Sequence, residues 1–418
     1  MEVSMATGTL RVQARTELGF FPVAGARVTV RVSGSDQILE EVTTDESGNS
    51  PLIELEAPDV AYSLKPQREV RPYSTYDITV ESSEFQTVRI VGVQILAGQE
   101  AIQEVLAVPR GEGFVSLSVG QSWIEITPNT LWGDFPEKIP EDEVKPLPGF
   151  EEDGFVVLPN VVVPEFVIVH DGRPNEAAPD YRVPYAEYIK NVASSEIYST
   201  WPEATILANV LAIMSFTLNR VYTEWYPSKG YPFTITSSTA YDQKYVPGRN
   251  IFESISRAVD SVLTNYITRP DIVQPLLTQY CDGQRTTCPG WMTQWGAKEL
   301  GDQGLDAIQI LRYFYGFDIT LDSAERVEGV PESYPGTPVR FGDSGPNVEV
   351  IQRQLQRIRQ NFPAIRSIAA DGIFGRGTEE AVRQFQAIFN LTPDGIVGKG
   401  TWYRLSQIYT AVTGIAEL

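Results

Sequence analysis

Residues 184–222 read PYAEYIKNVASSEIYSTWPEATILANVLAIMSFTLNRVY, and this stretch decides the central fold. Tyr185, Tyr188, Ile189 and Val192 recur at helical spacing, and the position four residues beyond Val192 is Glu196. A glutamate thus stands where the period calls for an apolar residue. A second helix opens with Thr200 as its cap and Trp201-Pro202-Glu203 in its first turn. It continues through Ala204, Leu207, Ala208, Leu211, Met214, Leu218 and Val221 as a long apolar stripe. Glu196 therefore falls at a helix–helix junction, where a cleft can form and where burial keeps a carboxyl protonated and ready to donate. The plainer alternative is a partly exposed carboxylate at a fraying helix end.

Working outward, composition narrows the chemistry. The chain has 418 residues, 54 acidic and 33 basic side chains, one histidine and two cysteines. That length predicts two to four domains. The net charge of −21 argues against a nucleic-acid partner, since phosphates need a basic surface. A single histidine, His170, leaves no basis for a His-rich zinc site or a histidine relay, and we expect neither metal nor cofactor. His170-Asp171-Gly172 reads as a turn. No uninterrupted apolar run reaches the roughly 18 residues of a membrane span, and the first residues lack the basic-then-apolar opening of a secretory signal.

The charge is unevenly placed. Residues 1–110 read as a β-sandwich, with strands expected at Leu10–Val12, Ala26–Val32, Tyr76–Val80, Thr87–Leu96 and Ile102–Val108, separated by turn-forming clusters. Residues 111–160 carry a net −8 and repeated prolines, which reads as an exposed, protease-accessible linker or as a meander wrapped on a neighbour. Residues 161–330 form the α+β domain of the opening stretch, and residues 331–418, at a net +1, a compact helical unit. In the last, DGIFGRGT (371–378) recurs as DGIVGKGT (394–401). Glycines permit the tight turns and each closing threonine can cap a helix.

These motifs carry resemblances. PVAGARVTVRV with TTDESGN resembles the transthyretin-like modules, which implies a passive or regulatory part. The repeated loops with Phe385-Gln386 resemble the peptidoglycan-binding type 1 domain, a three-helix unit. That resemblance implicates the neighbourhood of Asp371, Phe374, Asp394 and Trp402 in wall binding, although Phe374 also reads as core and both aspartates as turn formers. YIKNVASSEIYSTWPEATILANVL and WMTQWGAKELGDQGLDAIQILRYFYG resemble the catalytic domain of stage II sporulation protein D, a lysozyme- or transglycosylase-like α+β fold. In this order the three parts resemble the clostridial-type spore cortex-lytic enzymes.

The resemblance implies a lytic transglycosylase that cleaves cortex peptidoglycan between N-acetylmuramic acid and N-acetylglucosamine during germination. It implies storage in the spore envelope as a zymogen, made without a conventional signal peptide and cut by a subtilisin-like protease. Such chemistry needs one carboxyl group, because the muramic acid 6-hydroxyl and not water attacks the anomeric carbon. The matching positions assign Glu196 as the acid, with Thr293, Gln294, Trp295, Tyr313 and Tyr315 at the sugar. Trp295 and the tyrosines read equally as core packing. Some relatives bind zinc before the Q-W-G segment, but Cys281 and Cys288 have no histidine near them, so a local disulfide or two free thiols are expected there. The competing functions are a muramidase that uses water and a non-catalytic peptidoglycan-binding spore protein.

Overall fold

The computed structural model describes residues 3–16, 20–110, 122–145, 160–324, 326–327 and 334–413. The architecture is mixed α+β, with several sheets and eight α-helices among the described residues. Strands β1 (Met5–Thr16), β2 (Arg27–Val32), β3 (Ile38–Thr43), β4 (Ile53–Pro58), β5 (Ser74–Glu81), β6 (Val88–Ile95), β7 (Glu100–Ala107) and β8 (Trp123–Glu125) form the first part. One sheet runs β3-β2-β5-β6-β8, and in the other β1 lies between β4 and β7. Leu10, Val12, Ala14, Val28, Val30 and Ile78 are fully buried at alternate positions, and of the residues between or beside them Arg11 and Thr79 reach solvent whereas the polar Gln13, Thr29 and Asp77 are buried too. The Asp45 carboxylate, by accepting the Ser47 and Asn49 amides, shapes the turn expected there.

Both sheets overrun the boundaries read from the sequence. β8 falls beyond residue 110 and pairs with β6. Strand Ile251–Phe252 of the central part adds to β7, in register Ile251↔Ile102 and Phe252↔Ala101. Arg249 and Asn250, immediately before it, bond the side chain and backbone of Gln94. Residues 1–110 are therefore knit to the central domain by main-chain pairing, which a spacer reading of the neighbouring segment does not anticipate.

The central part carries α1 (Tyr185–Glu196), α2 (Glu203–Tyr222), α3 (Glu253–Val262), α4 (Gln294–Asp302) and α5 (Ala307–Tyr315). α2 is the hub, with Ala208, Val210, Ala212, Met214, Phe216 and Leu218 at 0% exposure. It has the length and apolarity of a membrane span, but 83% of that apolar window is buried among its neighbours. His170 stacks on Phe233 and sets Nδ1 2.7 Å from Asp180, so it fixes the end of its strand.

The last part is three helices, α6 (Pro346–Ile358), α7 (Arg376–Ile388) and α8 (Lys399–Thr413). Two glutamines hold its repeated loops. Gln352 Nε2 donates to Asp371, the Ile373 carbonyl and Thr378, while Gly372 N donates to Oε1. Gln386 does the same for Asp394, Ile396, Thr401 and Gly395. Gln386→Leu should leave the buried Gly395 amide and Thr401 hydroxyl without their partner and cost about 1–3 kcal/mol. Thermal unfolding of the full chain checks it: the transition of this part falls, whereas an unchanged transition removes the glutamine from its supporting role.

The three parts meet at a buried ionic junction. Arg404 of α8 donates to Glu187 of α1 at 2.7 Å, and Lys190 pairs with Asp260 of α3 at 2.9 Å. Arg15 of β1 lies against the rings of Phe20, Phe362 and Phe389, and burial lowers it to about 10.

Candidate active site

α1 stops at Glu196 because Ile197 turns to extended backbone, leaving helix-end carbonyls without intrahelical donors. Residues 129 and 130 satisfy them: Asn129 Nδ2 donates to the Ser194 and Ile197 carbonyls and Thr130 N to Ser195 O. Glu196 is 4% exposed and lines a cavity with Thr239, Tyr280, Asp282 and Gln294. Its Oε1 accepts the Lys244 amide at 2.6 Å and its Oε2 the Tyr280 hydroxyl at 2.6 Å. Burial raises the Glu196 carboxyl above the ordinary glutamate range. The Lys138 ammonium, the Tyr280 hydroxyl and the Lys244 amide pull it partly back.

Tyr280 was not legible as a site residue in the sequence. Strand Tyr280–Cys281 pairs in parallel with Met292–Thr293, which sets Tyr280 beside the segment leading to Gln294. Cys281 and Cys288 form a disulfide that closes the intervening loop. The signal for Tyr280 was its place directly before Cys281. Its hydroxyl is pushed well above its usual pKa by burial and the Glu196 charge, so it acts as a donor.

Asp282 is a second carboxylate on the cavity wall. Burial pushes it up, but the Thr286 amide and hydroxyl and the Gln284 and Arg285 amides hold it below the ordinary aspartate range. All these donors belong to its own loop. Asp282 is thus a loop former with its lone pairs occupied.

The loop that presents the Lys244 amide is fixed from beneath. Asp242 is fully buried and accepts Arg220 Nε at 2.7 Å, the Tyr226 hydroxyl at 2.6 Å, and the amide and hydroxyl of Thr236. Arg220, also fully buried, takes Glu141 as a second, bidentate partner.

The other sequence candidates divide. Gln294 lines the cavity. Thr293 is the residue preceding α4 and packs against the sites of Gly283 and Gly296. Trp295, Tyr315 and Tyr313 are not among the residues that line the cavity. Trp295 is 8% exposed and packs on Trp201 at 5.0 Å, as part of an aromatic cluster with Tyr198. Tyr315 is buried, donating to the Gln279 carbonyl at 2.8 Å, so it braces the strand that carries Tyr280. Tyr313 is 66% exposed and absent from the cavity lining.

In the C-terminal part, Phe374 of the first loop and Trp402 of α8 are core residues, at 0% and 2% exposure. Asp371 and Asp394 shape their turns by accepting the Ile373 and Ile396 amides. The exposed apolar side chains at the first loop are instead Phe341 and Ile373.

A model of the putative peptidoglycan-binding domain family matches residues 344–405, which places α6, α7 and the start of α8 in a peptidoglycan-binding domain. Among solved structures, the SleB N-terminal domain is 30% identical, over 18% of this chain and 99% of that one, with a TM-score of 0.17. The 5-hydroxyisourate hydrolase of Klebsiella pneumoniae is 17% identical, over 25% of this chain and 92% of that one, also with a TM-score of 0.17. No curated protein matches the chain. The fold and this match define a multidomain α+β protein that carries a peptidoglycan-binding domain at its C-terminal end.

Proposed function

We propose that the protein is a lytic transglycosylase acting on spore cortex peptidoglycan, with Glu196 as its acid. The observation that carries this reading is a buried glutamate held by two donors, Tyr280 and Lys244, on a cavity whose other carboxylate is already occupied. Protonated Glu196 gives its proton to the glycosidic oxygen as the bond to the muramic acid anomeric carbon breaks. The same carboxylate then takes the proton of the muramic acid 6-hydroxyl, whose oxygen closes the 1,6-anhydro ring. Gln294 and Thr239 are polar cavity residues available to a sugar hydroxyl or N-acetyl group. The peptidoglycan-binding domain keeps the protein on its insoluble substrate, and Phe341 and Ile373 offer the exposed apolar contact beside the first loop. Storage as a zymogen in the spore envelope, opened by a subtilisin-like protease, completes the proposal.

The water-using alternative has one observation in its favour, the presence of Asp282 on the same cavity. Hydrolysis needs that carboxylate free to act as nucleophile or to activate water. Asp282 instead accepts from its own loop, which favours the intramolecular attack.

The hydroxyl of Tyr280 stabilises the charged form of Glu196, so its loss raises the acid further. Activity requires protonated Glu196 and falls as pH rises through its pKa. Tyr280→Phe should therefore move the falling alkaline limb of the pH profile to higher pH, with a lower maximal rate from the less firmly held carboxyl. A pH series of muropeptide release checks this; an unmoved limb would place Tyr280 outside the acid's hydrogen-bond network.

A further inference from the structure

The connector, read from the sequence as a linker or a meander, has its described residues packed across the Glu196 cavity. Its segments 111–121 and 146–159 lie outside the described residues. Thr130, Gly133, Phe135, Pro136 and Lys138 line the cavity together with Glu196, Tyr280 and Gln294. What they leave is about 60 Å³. Sites that accept a small organic ligand measure roughly 300–1,000 Å³. A disaccharide unit does not fit beside Glu196 in this arrangement.

The segment is held by polar groups along its length. Asn129 and Thr130 occupy the carbonyls at the end of α1. The Arg285 guanidinium donates to the carbonyls of Thr130, Trp132 and Gly133. Lys138 donates to the Asp242 carbonyl and sets its ammonium over the rings of Phe216 and Tyr280. Farther on, Ile139 N bonds Ala240 O, Gln279 bonds both Ile139 and Glu141, and Glu143 pairs with Arg269. Amide donors on carbonyls and a guanidinium on amide oxygens are the contacts that the hydroxyl and N-acetyl groups of an amino-sugar polymer would make.

We propose that residues 129–145 are an intramolecular occupant of the glycan groove, a strap that holds the enzyme closed and must leave before the polymer can reach Glu196. The inference rests on Glu196 being the reacting acid. Lys138 has a second effect here: its positive charge favours the carboxylate of Glu196, the form that cannot donate a proton. Once the strap leaves, the α1 carbonyls and Arg285 become the sugar-binding groups of the opened groove. A protease cut frees one end of the strap, and the cut part then dissociates by releasing the bonds that hold the strap and the N-terminal sheet to the central domain.

The test uses the full chain with Asn129→Ala alone and with Asn129→Ala plus Lys138→Met. Carbodiimide coupling of an amine to Glu196, followed by peptide mass spectrometry, reads access to the carboxyl without reference to any substrate. Removing two to three hydrogen bonds of about 1 kcal/mol each should raise the open population, and the labelling rate, by about tenfold or more. Asn129→Ala leaves the charges around Glu196 unchanged, so its increase reports opening and not altered reactivity. Muropeptide release from peptidoglycan should rise in parallel. Labelling that rises without muropeptide release keeps the strap and removes the transglycosylase reading. Labelling at the wild-type rate in the folded Asn129→Ala chain overturns the strap and makes these residues a fixed wall of the site.

Discussion

Glu196→Gln should reduce muropeptide release by about 10²–10⁴-fold, the contribution of a positioned general acid. Glutamine keeps the size of the side chain: its carbonyl oxygen can still accept the Lys244 amide, and its NH2, in the place of Oε2, can donate to the Tyr280 oxygen with that hydroxyl turned away. What it lacks is a transferable proton. Thermal unfolding and sedimentation with peptidoglycan sacculi should therefore match the parent chain, the second because the peptidoglycan-binding domain lies at residues 344–405, elsewhere in the sequence. Loss of release together with loss of folding would say nothing for the acid. Undiminished release with folding intact would remove Glu196 from the reaction. Asp282→Asn provides the contrast: it weakens a loop whose amides the aspartate gathers, without removing the proposed proton donor.

The largest stability effect is expected at Asp242→Ala. Asp242 and Arg220 are both fully buried, and removing one member of a buried pair costs about 3–5 kcal/mol because the other charge is left without its partner. Glu141 still contacts Arg220, which favours the lower end of that range. The same change leaves the Tyr226 hydroxyl and the amide and hydroxyl of Thr236 without their acceptor. Urea unfolding of the full chain should show a lower midpoint for the central transition. Whatever folded fraction remains should also lose activity, because Asp242 anchors the turn that brings the Lys244 amide to Glu196. A midpoint unchanged from the parent would mean that the Arg220 network is not what holds this turn.

The parts of the site that were legible in the sequence follow from period. Glu196 interrupts an apolar stripe, and the structure buries it at the end of α1 as that interruption requires. The strands β1, β2, β5, β6 and β7 were visible for the same reason, since alternation and β-branched runs mark half-buried strands. β3 was not: all but one of its residues, Val42, are exposed, so no buried face writes itself into ILEEVT. The partners of Glu196 were hidden because they come from distant segments. Tyr280 and Lys244 reach the carboxyl through loop geometry, and one of them contributes a backbone amide that any residue would supply. Phe374 and Trp402 were open to two readings in the sequence. Aromatic residues beside conspicuous loops suggest a binding face, whereas the short helices of the C-terminal part need them for a core. Of the glutamines that hold the two loops, Gln386 was legible only as half of the Phe385-Gln386 pair, and Gln352, beside the buried Ile351, carried no pattern of its own.

The most direct test of the central claim is the end group left on digested peptidoglycan. Purified cortex sacculi are incubated with the full chain after treatment with a subtilisin-type protease, and the released muropeptides are weighed by mass spectrometry. A single-acid mechanism at Glu196 predicts 1,6-anhydromuramic ends, lighter by one water than hydrolytic products, and none in the Glu196→Gln digest. Reducing muramic acid ends, or anhydro ends released equally by Glu196→Gln, would contradict it.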